Sequence, residues 1–147
     1  MTLRRMDHVG IVVDDLPAVT AFFLALGLQV QREGSVEGGW VERVVGLEGV
    51  RADFTIVQTP DGHSRLELTK YHSPQGPQRP PGDGPAPSNT PGIHHIGFAV
   101  EDLDTVLADL TARGARLVGA VERYKNQRMC YVRGPENIVV ELSERTG

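Results

Sequence analysis

Two short segments of the chain alternate bulky apolar residues with small or polar ones, Asp7-His-Val-Gly-Ile-Val-Val13 and His94-His-Ile-Gly-Phe-Ala-Val100. Alternation of this kind, rich in β-branched residues, predicts a half-buried strand. In the first strand His8, Gly10 and Val12 share one face and Val9, Ile11 and Val13 the other; in the second, His95, Gly97 and Ala99 oppose Ile96, Phe98 and Val100. Each strand runs into an acidic helix start, Asp14-Asp15 with Pro17 in the first turn and Glu101-Asp102. Apolar residues then recur at helical spacing: Val19, Phe22, Phe23 and Leu26, and Leu103, Val106, Leu107 and Leu110. Gly27 and Gly114 fall where a helix is expected to end. Short strands are predicted afterwards, at Trp40–Val45, Ala52–Thr59 and Ser64–Thr69, and at Arg116–Val121, Met129–Arg133 and Ile138–Leu142. Each half therefore reads as β-α-β-β-β.

The two halves are copies. Shifted by 87 residues, Asp7–Gly27 overlies His94–Gly114 with nine of 21 positions identical, His8/His95, Gly10/Gly97, Asp15/Asp102 and Gly27/Gly114 among them. Chance would give about one or two at this composition. A second echo pairs Leu66-Glu67-Leu68-Thr69 with Val140-Glu141-Leu142-Ser143, each after a turn signal, Pro60-Asp61-Gly62 or Pro135-Glu136-Asn137. The expected class is α+β: one domain over 1–147, with module one at 5–72, a linker at 73–92 and module two at 93–145. Seven of the ten prolines lie within Pro74–Pro91, where Ala86 is the one apolar residue. Such a segment reads as an extended tether, long enough for the modules to pair within a chain or exchange between chains.

Composition narrows the partners. Fifteen basic against 19 acidic residues argue against nucleic acid. The apolar runs are too short for a membrane span, and Arg4-Arg5 lead into Asp7-His8 rather than the apolar core of a secretion signal. The single cysteine, Cys130, fits a reducing compartment, so a cytoplasmic location is expected. A small-molecule ligand is the partner class that remains.

Candidate chemistry follows from the faces. The histidine side of each first strand is lined by small residues. Glu67 opposes Leu66 and Leu68, and Glu141 opposes Val140 and Leu142. Each half thus offers one imidazole and one carboxylate away from the core, a ligand set suited to a divalent first-row metal. A lone histidine near a strand start is more often a structural residue than a ligand. The recurrence of both types in both halves favours metal.

The segments DHVGIVVDDL, RLELTKY, HHIGFAVEDLD and GPENIVVELSE make the chain resemble the vicinal oxygen chelate superfamily, which includes glyoxalase, bleomycin-resistance proteins, methylmalonyl-CoA epimerase and extradiol dioxygenases. The resemblance implies a cupped, incompletely closed mixed sheet with helices outside. Carried over by position, it makes His8, Glu67, His95 and Glu141 the ligands of one divalent ion per site, among Ni, Co, Zn, Mn and Fe. Glu67 sets the chain apart from the similar epimerases, which usually carry Gln there. Extradiol dioxygenases, with two His and one Glu in a single module, fit less well.

In the glyoxalase and epimerase branches the metal stabilises an enediolate while a carboxylate moves a proton on the adjacent carbon. The resemblance therefore implies a metal-dependent isomerase or lyase acting on a small oxygenated metabolite. Glu141 is the first candidate for the base, as a ligand able to leave the metal; Glu42, in GWVERVV, resembles the position of an epimerase base and is the second. The competing reading is a non-catalytic protein that sequesters a drug or natural product, as bleomycin-resistance members do. Open sheet edges lead us to expect a homodimer. Of the remaining candidates, His63 and His72 are expected to be solvated and His94 to face away from His95. Trp40, Phe54, Tyr124 and Tyr131 are candidate pocket aromatics, and Arg43, Arg51 and Arg128 candidate clamps for an acidic substrate. Cys130 is expected to be buried in a strand.

Overall fold

The computed structural model describes residues 2–77 and 85–147. The chain divides into two compact units, Met1–Gln78 and Arg79–Gly147. The central part of the expected tether lies outside the described residues.

In the first unit β1 (Val9–Val12) leads to α1 (Leu16–Leu26), then β2 (Gln29–Glu37), α2 (Gly39–Val45), β3 (Arg51–Gln58) and β4 (Arg65–Ser73). The sheet order is β1-β4-β3-β2, with β1 parallel to β4 and the other pairs antiparallel. Asp15 caps α1 by accepting the Ala18 N–H at 3.0 Å, and Pro17 occupies the first turn, where its missing N–H costs nothing. Gly27 ends the helix at φ +124°, a conformation a side chain would strain. The buried stripe is Val19, Phe22, Phe23 and Leu26, the four positions of the helical pattern. It packs against β3 and β4, whose Val57, Leu66 and Leu68 are buried. Phe23→Ala would leave a cavity at a fully buried site and is expected to cost about 3–5 kcal/mol in denaturant unfolding.

The second unit repeats the plan: β5 (Ile96–Ala99), α3 (Leu103–Ala112), β6 (Arg116–Leu117), β7 (Glu122–Tyr124), β8 (Gln127–Arg133) and β9 (Val139–Arg145). Its order is β5-β9-β8-β6, with β7 paired to β8 and β5 parallel to β9. Asp102 caps α3, taking the Thr105 N–H at 3.1 Å and the Thr105 hydroxyl at 2.7 Å. The Thr105 hydroxyl, and then its N–H, hold the Asp102 carboxyl below the usual carboxylate range. A depressed carboxyl contributes stability above its unfolded value, near pH 4, and loses it as pH falls through the folded one. Asp102→Ala is therefore expected to lower Tm by a few degrees at pH 7, with the gap to wild type closing below pH 4. Leu103, Leu110, Val132, Val140 and Leu142 are fully buried around α3, whereas Val106 and Leu107 are half-buried.

The fold is α+β, two mixed sheets with helices, and no closed barrel forms among the described residues. Neither does any described helix have the length and apolarity to cross a membrane.

Three local expectations need correction. Trp40–Val45 is helix α2, not a strand: Gly46 at φ +75° closes it, and the Gly46 and Leu47 N–H groups both bond the Glu42 carbonyl. The β-branched content misled, because Val41 is the only buried residue of the seven. The missing strand is β2, whose side chains are almost all exposed and so lack apolar alternation. The span Arg116–Val121 holds only the two-residue β6, and β7 follows it at Glu122–Tyr124.

Candidate functional site

Parallel pairing sets the frame in each unit. Register places Gly10 beside Glu67 on β1 and β4, and Gly97 beside Glu141 on β5 and β9. Burial follows the expected alternation: Leu66, Leu68, Val140 and Leu142 are buried, while Glu67 and Glu141 are half-buried on the opposite faces.

In the first unit His8 Nε2 stands 3.6 Å from Glu67 Oε2. Its other ring nitrogen, Nδ1, lies 2.8 Å from Asp7 Oδ2. An ionised carboxylate has no proton to give, so the ring donates through Nδ1. In the neutral ring, a proton on Nδ1 leaves the Nε2 lone pair on the Glu67 side. Asp7 is itself held by Arg5 at 3.3 Å and Arg65 at 4.0 Å. The His8 hydrogen bond, then that of Arg5, keep the Asp7 carboxyl below its usual value.

In the second unit the Glu141 carboxylate folds over Gly97. A Cβ at position 97 would lie 3.0 Å from Glu141 Oε2, tighter than ordinary contact. Gly97→Ala is accordingly expected to push the carboxylate aside with little loss of stability. The site-directed readout is weaker binding of any ion Glu141 holds, set against an unchanged Tm. His95 packs on Tyr131, ring centroids 4.6 Å apart, and Tyr131 is the register partner of Glu141 on β8. His94 does not face away as expected: its Nδ1 lies 2.9 Å from His95 Nδ1, and its ring is 5.3 Å from Tyr131. The repeat hid this contact, because alternation places neighbours on opposite faces only inside a strand, and β5 begins at Ile96.

These donors fit a divalent metal. Metal–nitrogen and metal–oxygen bonds of about 2.1 Å together span about 4.2 Å, more than the His8–Glu67 separation, so one ion reaches both atoms. Among the described residues no group of three or more His, Cys, Asp or Glu side chains is placed to hold one ion. In the first unit the donors stand as the pair His8 and Glu67.

The Glu42 carboxylate accepts the backbone N–H groups of Gly49 at 3.0 Å and Val50 at 3.3 Å, tying α2 to the start of β3. Its loss in Glu42→Ala should cost about 2 kcal/mol of unfolding free energy. Arg128 is engaged by Asp104 at 2.8 Å and Glu144 at 3.3 Å. Trp40 and Tyr124 are exposed; Phe54 lies under the Arg32 guanidinium. His63 is exposed in its turn. Cys130 is buried, and burial pushes its thiol up. His72, exposed as expected but not free, has Nε2 2.8 Å from Asp53 Oδ2, and Ser35 donates to Asp53 Oδ1 at 2.6 Å. Asp53 and His72 line a groove of about 810 Å³, together with Leu16, Pro17, Ala21 and Leu24 of α1. The groove lies on the helix side of the sheet, opposite Glu67, and sequence periodicity gave no sign of it.

A module of parallel-paired β1 and β4 crossed by a capped helix, present twice and carrying a His and a Glu off the core each time, defines a duplicated β-α-β-β-β protein. Residues 5–142 match the model of the Glyoxalase/Bleomycin resistance protein/Dioxygenase superfamily. A glyoxalase family protein from Bacillus cereus is 40% identical, with a TM-score of 0.93 over 100% of this chain and 97% of that one. The fold is also shared, at 15% identity and TM-score 0.58, with the fosfomycin resistance protein FosX from Listeria monocytogenes, solved with Mn(II) and sulfate; coverage is 99% and 95%. It is shared at 16% identity and TM-score 0.63 with TnmS3, an antibiotic binding protein from a Streptomyces species, over 99% and 98%. The chain belongs to the Glyoxalase/Bleomycin resistance protein/Dioxygenase superfamily.

Proposed function

We propose that this protein is a divalent-metal-dependent isomerase or lyase of glyoxalase or epimerase type, acting on a small oxygenated metabolite. The observation that carries the reading is the Nδ1-anchored His8, its Nε2 3.6 Å from the Glu67 carboxylate. That is too long for a hydrogen bond and within the reach of one ion. The repeat supplies the same residue types as His95 and Glu141, and the four together form the proposed ligand set. A dication held by these residues would supply several kcal/mol of stabilisation to an oxyanion developing on the substrate. Glu141 takes the proton from the carbon beside that oxygen, which requires its carboxylate within hydrogen-bond reach of the C–H. Glu42 is the weaker candidate for this step, because its carboxylate already holds two backbone N–H groups.

Metal analysis of protein purified without an affinity tag or chelator tests the reading. A stoichiometric first-row metal, with metal-dependent deuterium uptake by an α-hydroxy ketone, hemithioacetal or acyl thioester in heavy water, is the expected result. Calorimetry that detects no binding of any such ion would sink it. The groove of about 810 Å³ favours a second reading, a sequestering binder, since its size suits a drug-sized ligand. Retention of an antibiotic by metal-free protein is the result specific to that reading. We also propose a homodimer, because among the described residues β1 and β5 each pair on one side only, and a cytoplasmic location, for which the single cysteine Cys130 speaks. Light scattering should give twice the chain mass at micromolar concentration.

A further inference from the structure

Resting on that metal reading, we propose that Asp7 and His94 are positioning residues, each accepting the Nδ1–H of the next residue so that His8 and His95 present Nε2 to the ion. The two contacts were found at repeat-equivalent places. Asp7 Oδ2 lies 2.8 Å from His8 Nδ1, and His94 Nδ1 lies 2.9 Å from His95 Nδ1. Position 7 overlies position 94, so each copy uses the side chain two residues before the strand to hold the ring that immediately precedes it.

The chemistry of the partners explains why such a device matters. A neutral imidazole in water favours the proton on Nε2, the tautomer whose Nε2 cannot ligate. A hydrogen bond at Nδ1 reverses that preference and fixes the ring plane. Asp7 is itself anchored by Arg5 and Arg65, which leaves it little freedom to swing away. His94 has no carboxylate to offer. Between two ring nitrogens only one carries the proton, and ligation by His95 Nε2 requires that His95 donate and His94 accept, with the proton of His94 on its own Nε2. Tyr131 stands in for the rigidity that charge gives in the first unit: its ring lies 4.6 Å from His95 and 5.3 Å from His94, limiting rotation of both. The device is thus electrostatic in one copy and built from stacked rings in the other.

The test uses nitrogen NMR of the metal-free protein labelled at histidine, followed by calorimetry with Zn²⁺. Wild type is expected to show His8 and His95 with the proton on Nδ1. Asp7→Ala should move His8 to the Nε2–H form, and His94→Ala should do the same for His95, each leaving the other ring unchanged. Asp7→Asn and His94→Asn keep an acceptor oxygen and should restore the Nδ1–H form. Zn²⁺ affinity should fall about 10–100-fold in each alanine variant and recover in each asparagine variant. Asp7 is exposed and His94 is half-buried outside the strand, so these variants are expected to fold. Tautomers that do not change in the alanine variants overturn the proposal. If they change as described but wild type binds no Zn²⁺, the positioning role stands and the metal reading falls.

Discussion

Glu141→Gln is expected to slow metal-dependent exchange of the substrate α-proton by about 10²–10⁴-fold while retaining most of the metal. The amide oxygen still donates a lone pair but cannot accept a proton. Three observations place the weight on this residue. Glu141 is half-buried, which shields a developing charge from bulk water. It lies over Gly97, where the absence of a side chain lets its carboxylate approach the neighbouring strand. It is flanked in register by Tyr131 rather than by a basic partner. Glu67→Gln should be milder, since the epimerase-like branch tolerates an amide at that place. Glu42→Gln should affect stability more than turnover, because the variant disturbs the Gly49 and Val50 contacts. Equal losses in all three variants, or full exchange by Glu141→Gln, would remove Glu141 from the role of base.

His8→Ala and His95→Ala are each expected to abolish tight metal binding and to leave the apoprotein folded. Neither side chain supports the core: the half-buried, apolar faces of β1 and β5 are those of Val9, Ile11, Ile96 and Phe98. At an ion concentration about 100 times Kd, binding adds about 2.7 kcal/mol to stability, or about 5–10 °C in Tm for a chain of this size. Wild type should show this rise on adding Ni²⁺, Co²⁺ or Zn²⁺, and both variants should lose it. If the pairs His8/Glu67 and His95/Glu141 serve one ion, each single variant loses the whole shift. Two separate ions would leave about half the stoichiometry in each, and the four-ligand reading would fail.

Much of the fold was legible because the signals were local and came twice. Helix α1 and helix α3 each begin at an aspartate cap, and Val19, Phe22, Phe23 and Leu26 are buried as the helical spacing implies. The faces of Glu67 and Glu141 also follow from period-two alternation, since a strand with one buried side has no choice of which residues to expose. Strand β2 was invisible for the converse reason: an edge strand with Gln29, Gln31, Arg32 and Glu33 exposed carries no hydrophobic pattern and is held by backbone pairing to β3. Helix α2 was misread because Trp40, Val44 and Val45 look like a strand to any propensity argument, yet all three are exposed. What makes it a helix is the Gly46 turn and the grip of Glu42 on residues 49 and 50, a contact seven or eight residues away that no short window reports. The pair His94 and His95 escaped for a similar reason, since their contact belongs to the irregular backbone before β5.

Helix α2 also marks where the duplicated halves cease to be interchangeable. The stretch between β2 and β3 has no helical counterpart between β6 and β8, where the chain uses the short strand β7 instead. An artificial chain made of the second unit twice over would carry His95, Glu141 and the capped helix α3 two times each, yet discard the Glu42 clamp and the groove beside α1. Comparing that symmetric chain with the natural one would separate what ancestral doubling confers from what later divergence of one copy added.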